Sequence, residues 1–429
     1  MQMTKTTTAI IAAVIVIVIV AVIAMWAGGT SRTQTPTSAT QAPTPTTTSP
    51  TQTVSTTQTP TQTTTTQTQT TPSVRGVLTG AGSTFIAPQL QAWSNILENA
   101  TGGALAVNYQ LTGSGAGISL FLNKKVDFGA SDVPMPEDLY QKYKGQFVQF
   151  PAIIGSIVIA YNVPEIAYNK TGKYLNLTSE IIALIYMGNI TQWCDPRIKA
   201  INPGLAAELP CKPIIAVHRS EASGTTAGFT LYLAKTVPQW NETVGWGLTV
   251  SWPIDKLGRG IGAQGNPRVA AAVLNTPYSI GYIEYAYWAV NKKEFDAKGG
   301  VAYIRNDNDG KYYFPTEESV AEGAAAALQR YAQKYGAPPA PDADWNPVSF
   351  ELPNPPKGYP MLSFTYILLW KNYTAEGYPD AATRAALLRE FFSWVLTEGQ
   401  KPGNIVEGYI PLPSDVAKIG LEAVNSVKP

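Results

Sequence analysis

The pattern of apolar and polar positions divides the chain into three parts. Ala9 to Ala27 is an uncharged apolar run long enough to cross a bilayer. Thr30 to Ser73 is almost wholly Thr, Gln, Pro and Ser. From Val74 onward, short apolar runs alternate with amphipathic ones to the C-terminus. Within this body, Val77–Thr79 predicts a strand and Gly80–Phe85 a loop, and Pro88 opens a helix with Leu90, Trp93, Ile96 and Leu97 at helical spacing. Leu105–Tyr109 reads as a second strand, Thr112–Gly117 as a loop, Ile118–Leu122 as the start of a helix and Val126–Asp132 as a third strand. Repeated strand-loop-helix units predict an α/β fold on a parallel sheet, where ligands sit beyond the carboxyl ends of the strands.

Two longer apolar runs, Ile153–Val163 and Leu362–Trp370, read as buried strands that cross between lobes. Two crossings assign residues 153–360 to one lobe and residues 76–152 with 361–429 to the other, with a hinge between them. After the second crossing, Asp380–Leu396 predicts a helix with Ala385, Leu388, Phe392, Trp394 and Val395 along one side.

The apolar run is preceded by Lys5 and followed by Arg32, and Ala24-Met25-Trp26-Ala27 breaks the small-residue pattern of a signal-peptide cleavage site. Residues 1–29 therefore predict an uncleaved N-terminal transmembrane anchor with the body on the external face, a cleaved signal peptide being the alternative. No Cys follows the run, so a lipid-modified Cys is not the tether. Residues 30–75 have too little apolar surface to offset the entropy of ordering and predict a disordered Ser/Thr/Pro stalk, either O-glycosylated or a plain flexible linker. Extended, it is a spacer on the order of 100 Å.

Charge adds an exclusion: 31 Lys and Arg stand against 30 Asp and Glu, so no basic footprint argues for nucleic acid. Cys194 and Cys211, the only cysteines, flank a short Pro-containing stretch. In an external protein they are expected to pair, two buried free thiols being the alternative. Asn99, Asn169, Asn176, Asn189, Asn241 and Asn372 each open an Asn-x-Thr sequon, which suits an external, glycosylatable surface.

The candidate chemistry lies in four loops. In Val217-His218-Arg219-Ser220-Glu221-Ala222-Ser223-Gly224-Thr225-Thr226, an Arg, a carboxylate and a hydroxyl-glycine-hydroxyl stretch open a helix. A forked guanidinium and unpaired N–H groups at a helix start are what a compact dry oxyanion needs. Gly80–Phe85 lacks the third glycine of a dinucleotide fingerprint and the Gly-Lys-Ser/Thr ending of a Walker loop, which leaves a small donor loop with the Thr84 hydroxyl available, or, for the loop taken singly, an ordinary tight turn with a helix cap. Ser114 is the corresponding hydroxyl of Thr112–Gly117. Asp132 ends its strand, and a carboxylate beside a bound oxyanion is tolerated only if it accepts an O–H from the ligand. Hydrogen phosphate offers that proton at neutral pH and sulfate does not, so the carboxylate favours phosphate.

The motifs Leu78-Thr79-Gly80-Ala81-Gly82-Ser83-Thr84-Phe85, Val126-Asp127-Phe128-Gly129-Ala130-Ser131-Asp132 and Arg219-Ser220-Glu221-Ala222-Ser223-Gly224-Thr225 together resemble the PstS family, the phosphate-binding proteins of the phosphate ABC transporter. Phe150-Pro151, Trp252-Pro253, Gly281–Tyr287 and Tyr409–Pro413 agree in order and spacing, and the resemblance runs from about Val77 to the C-terminus. It implies the two-lobed type II periplasmic-binding-protein fold. It also implies ligand contacts at Thr84 and Phe85 through backbone N–H groups, with the Thr84 hydroxyl, and at Ser114, Asp132, Arg219, Ser223, Gly224 and Thr225. Glu221 stands where the family carries the acidic residue that orients the Arg, here one methylene longer. The implied function is capture of inorganic phosphate and delivery to a membrane permease, with ATP supplied by a separate ATPase subunit and no metal or cofactor in this chain. The alternatives are another tetrahedral oxyanion (sulfate, molybdate or tungstate) or a surface phosphatase using Ser223 or Thr225 with His218, the single histidine, as base. The aromatic Tyr282–Trp288 segment is read as lobe core.

Overall fold

The computed structural model describes residues 75–429. The expected anchor and all but the last residue of the stalk lie outside the described residues, and no helix among those described is long and apolar enough to cross a membrane.

The elements that position the site run in chain order as β1 (Gly76–Gly82), α1 (Ala87–Ala100), β2 (Leu105–Leu111), α2 (Ser114–Leu122), β3 (Phe128–Ser131) and β4 (Phe147–Asn162), then β5 (Ile215–Arg219), α3 (Gly224–Thr236), β6 (Gly260–Ala263), α4 (Gly265–Asn275) and β7 (Ser279–Glu284), and finally β8 (Gly299–Val301), β9 (Leu362–Trp370), α5 (Ala381–Leu396) and β10 (Tyr409–Ile410). The ten strands form one sheet in the order β2-β1-β3-β9-β4-β7-β5-β6, with β8 and β10 pairing β4 off this path.

Strands β1, β2 and β3 are parallel to one another, as are β5, β6 and β7, so the α/β expectation holds within each group. The sheet as a whole is mixed. Between the groups lie β4 and β9, paired antiparallel to each other, with β9 also antiparallel to β3 and β4 to β7. All 16 residues of β4 are buried, as are the nine of β9, which is why both read as nearly unbroken apolar runs.

β4 changes partner along its length: Phe147 to Ser156 pair with β9, and Ile157 to Asn162 pair with β7. One continuous strand therefore belongs to both groups. β9, also expected to cross, pairs only with β3 and the first part of β4. Residues before β9 already lie against the first part of β4, where Pro341 accepts from Gln149 N at 2.9 Å and Ala343 from Gln149 Nε2 at 3.2 Å, and Met361 then accepts from Ile157 N at 2.9 Å.

Other boundaries differ from expectation in ways that matter for the site. β1 continues to Gly82, past its expected end at Thr79, because it is held on both sides by β2 and β3. α2 starts at Ser114 rather than Ile118, directly after Gly113 at φ 88°. Its two glycines suggest a loop because glycine is a poor helix former. They are there for approach: a Cβ on Gly117 would lie 2.4 Å from Gly82 Cα, and one on Gly115 2.4 Å from Ala222 Cβ. Cys194 and Cys211 form the expected disulfide.

Candidate functional site

The ends of β1, β2, β3, β5 and β6 carry the loops that assemble the site. At the end of β3, Asp132 is buried with polar groups on both carboxylate oxygens. Oδ1 accepts from the hydroxyls of Ser83 and of Thr365 on β9, the latter at 2.8 Å. Oδ2 has only Ser114 Oγ, at 3.4 Å, and Ser114 Oγ accepts from Asp132 N at 3.1 Å. Burial pushes the Asp132 carboxyl up to about 6, against the opposing pull of these hydroxyls and of the Arg219 charge. At neutral pH it is thus mostly a carboxylate, with room on Oδ2 for one more donor.

At the end of β5 the Arg219 side chain is 1 % exposed. Its Nε donates to Glu221 Oε1 at 2.9 Å, its Nη2 bonds the same oxygen, and its Nη1 donates to Thr225 Oγ1 at 3.2 Å. Glu221 Oε1 also accepts from Gly265 N at 2.9 Å, which ties the Arg-orienting carboxylate to the start of α4. One edge of the guanidinium is therefore spoken for by Glu221, and the other faces the threonine.

Ser223 is the N-cap of α3, its Oγ accepting from Thr226 N at 3.1 Å, while its own N–H donates to Leu248 O at 2.8 Å. Gly224 and Thr225 supply the next N–H groups, which have no intrahelical acceptor at a helix start. Gly224 packs directly on the Asp132 loop: a Cβ there would lie 2.5 Å from Ser114 Oγ and 2.8 Å from Asp132 Oδ2. No larger residue fits between the two loops.

Thr84 joins the same cluster through Asn266, whose backbone N and Nδ2 donate to Thr84 Oγ1 at 3.1 and 3.0 Å. Asn266 Nδ2 also donates to Thr225 Oγ1 at 3.1 Å, and Tyr287 donates to Thr84 O at 2.6 Å. Phe85 is placed differently from expectation, since its N–H donates to Ser83 Oγ at 2.9 Å and its ring is fully buried against Tyr409. That donor is engaged by the preceding serine, which in turn holds Asp132.

The structure thus brings Thr84, Ser114, Asp132, Arg219, Glu221, Ser223, Gly224 and Thr225 together. Sequence pattern alone does not point to Ser83, Thr365 or Asn266 as site residues, and points to Tyr287 only as lobe core. Ser83 lies within the Leu78–Phe85 motif, and Asn266 follows a strand end and Gly265, a signal of the same kind as the other loops. Thr365 sits in an apolar strand with no local signal. The Tyr282–Trp288 segment is largely buried, as expected, but the Tyr282 hydroxyl accepts from Arg219 N at 3.0 Å and is 2.6 Å from Thr226 Oγ1, so it also braces the site.

His218 is occupied elsewhere. Its Nε2 is 2.9 Å from Asp255 Oδ1, its Nδ1 3.0 Å from Arg219 O, and its ring stacks on Trp252. Neither Ser223 nor Thr225 has it as a base. A cavity of about 280 Å³ touches Asp132 from another side. Its walls include Val133, Pro134, Leu231, Trp246, Pro347 and Phe350, so it offers apolar surface rather than converging donors.

The site gathers hydroxyls, helix-start N–H groups and one guanidinium around an acceptor carboxylate, and the sheet is shared between two groups of strands. Together these define an α/β binding protein of the periplasmic-binding-protein kind. A family model described as PBP superfamily domain matches residues 39–398. Phosphate-binding protein PstS of Methanocaldococcus jannaschii is 39% identical over 357 residues, 82% of this chain and 86% of that protein. Phosphate-binding protein PstS of Haemophilus influenzae is 39% identical over 340 residues, 79% of this chain and 90% of its own length. The chain belongs to the PstS family. Among solved structures, a high affinity periplasmic phosphate-binding protein bound with phosphate aligns with TM-score 0.58 at 22% identity, over 82% of this chain and 99% of the other. An ancestral soluble variant of the human phosphate binding protein gives TM-score 0.58 at 20% identity, with the same coverage. These likenesses establish the fold.

Proposed function

We propose that this protein captures inorganic phosphate between two lobes and delivers it to the permease of an ABC transporter, binding without chemical conversion. The observation that carries the reading is Asp132: a buried carboxylate with an available Oδ2, set among hydroxyl and N–H donors. The protein groups are Asp132 and Glu221 against Arg219, a formal net charge of −1 before any anion arrives. Binding then depends on local dipoles from the hydroxyls and the starts of α2 and α3 rather than on excess positive charge. An anion that brings its own O–H to Asp132 relieves the repulsion, and one without a proton does not. This favours hydrogen phosphate over sulfate, molybdate and tungstate.

Lobe 1 comprises residues 76–152 and 361–429, and lobe 2 residues 153–360. The change of partner along β4 between Ser156 and Ile157 supports a hinge there. Gly115 N donates to Ala222 O at 3.1 Å, and Asn266 holds Thr84, so contacts between the lobes surround the proposed ion position. The ATPase is a separate subunit. Residues 1–29 tether the body to the external face of the membrane through the stalk at 30–75. Sugar is offered by the exposed Asn99, Asn169, Asn189, Asn241 and Asn372, whereas Asn176 is half-buried with its Nδ2 donating to Ile201 O at 3.3 Å.

Calorimetric titration of the full-length protein with phosphate and then sulfate tests the reading. Tight phosphate binding with little response to sulfate supports it, and equal response to both sinks it.

A further inference from the structure

Asn266 is fully buried at the second position of α4, and every polar atom it carries is in use. Oδ1 accepts from Glu284 N at 3.0 Å. That contact fixes which end of the amide is oxygen, because a backbone N–H can only donate. Nδ2 therefore faces the two threonines, giving one hydrogen to Thr84 Oγ1 at 3.0 Å and the other to Thr225 Oγ1 at 3.1 Å.

A hydroxyl has two acceptor positions and one hydrogen. Thr84 Oγ1 accepts twice, from Asn266 N and Nδ2. Thr225 Oγ1 also accepts twice, from Asn266 Nδ2 and Arg219 Nη1. Each threonine is left with only its hydrogen to offer. Both threonines are buried, at 2% and 0% exposure, where an unused donor is costly.

We propose that Asn266 is a positioning residue that sets the polarity of the anion site, making Thr84 and Thr225 obligate donors to the ligand. This rests on the phosphate-capture reading above and deepens it. The site then has two chemically different ends. One, built from Thr84, Thr225 and Arg219, presents hydrogens to ligand oxygens that carry none. The other, Asp132 Oδ2, accepts. A singly protonated tetrahedral oxyanion matches both ends in one orientation, and a fully deprotonated one matches only the first. Because Thr84 follows β1 and Thr225 follows β5, the same amide also couples the two groups of strands around the ligand.

The test is a double-mutant cycle on the full-length protein, titrated with inorganic phosphate: wild type, Thr225→Ala, Asn266→Ala and the double variant. Removing Thr225 is expected to weaken binding by about 10-fold or more in the wild-type background and by less than about 3-fold beside Asn266→Ala, where its hydrogen is no longer directed. Equal losses in the two backgrounds overturn the proposal, since they leave Asn266 no part in directing the Thr225 hydrogen. The nearly isosteric Asn266→Asp decides the matter if the alanine variants melt too readily. Its second oxygen accepts the threonine hydrogens in place of the ligand and adds a negative charge beside the anion, so phosphate affinity falls by about 100-fold or more. Binding within about 3-fold of wild type by a folded Asn266→Asp contradicts the proposal. Wild-type protein that fails to bind phosphate instead removes the functional reading on which it rests.

Discussion

Thr365 donates to Asp132 Oδ1 at 2.8 Å across 233 positions of sequence, and this bond leaves Oδ2 as the carboxylate oxygen with capacity to spare. A residue on a central strand thereby directs a carboxylate at the end of another. In the proposed reading, selectivity for a protonated oxyanion follows from that division of the two oxygens.

Asp132→Asn keeps the shape and removes the charge. An amide presents a donor or a weaker acceptor to the ligand O–H, so phosphate binding is expected to weaken by about 10- to 100-fold. Sulfate no longer meets a carboxylate and gains, so the phosphate-to-sulfate ratio narrows by at least about 10-fold. Parallel calorimetric titrations of the variant measure both.

The pH dependence has a definite sign. Burial pushes the Asp132 carboxyl up to about 6, so it gains a proton as pH falls through that value and becomes a donor. Sulfate carries no proton over this range, and its binding is expected to strengthen from pH 7.5 to pH 5 in wild type but not in Asp132→Asn. The same raised carboxyl affects folding: with its folded-state value above the unfolded one, the group costs stability as pH rises from about 4 to about 6, and the full cost is present above that. The melting temperature of Asp132→Asn relative to wild type should therefore climb between pH 4 and pH 7. A flat difference speaks against a raised Asp132.

Arg219 and Glu221 act as a pair. Arg219→Ala removes the cation of the site and leaves the half-buried Glu221 without its partner, and phosphate binding should fall by more than about 100-fold. Glu221→Gln keeps the cation but loosens the fork, since Oε1 holds Nε, Nη2 and Gly265 N together. A loss of about 10-fold is expected there, with Arg219→Lys worse than Glu221→Gln because an ammonium cannot span both Glu221 and Thr225. Affinities of the three variants give the order.

The disulfide is a matter of stability alone. Cys194 and Cys211 close a loop with a sequence separation of 17, which corresponds to about 3 kcal/mol. Replacing both by Ser should lower the melting temperature by several degrees and leave phosphate affinity unchanged, as scanning calorimetry and titration would show together.

Much of this was legible from residues that carry their own local signal. The helix start at Ser223–Thr225, the strand-end Asp132 and the Arg219–Glu221 pair could be read because hydroxyls, glycine and charges at strand ends have few other uses. The start of α2 at Ser114 was not, because its glycines answer to Gly82 and Ala222 across the fold and local propensity points the other way. Thr365 was invisible for a related reason: within Leu362–Trp370 a threonine reads as an ordinary β-former until β3 is seen beside it. Asn266 was hidden because its partners Thr84, Thr225 and Glu284 are brought to it only by the assembled sheet. The exchange of partners along β4 likewise depends on which strands flank it, which apolar periodicity does not encode.

A site that selects a protonated oxyanion through Asp132 should hold phosphate against sulfate. The most direct measurement is a competition titration of full-length protein at pH 7.5, with phosphate added in the presence of a large excess of sulfate. Phosphate affinity should be nearly unchanged by sulfate in wild type and clearly reduced by it in Asp132→Asn. Sulfate competing equally well in both proteins would contradict it.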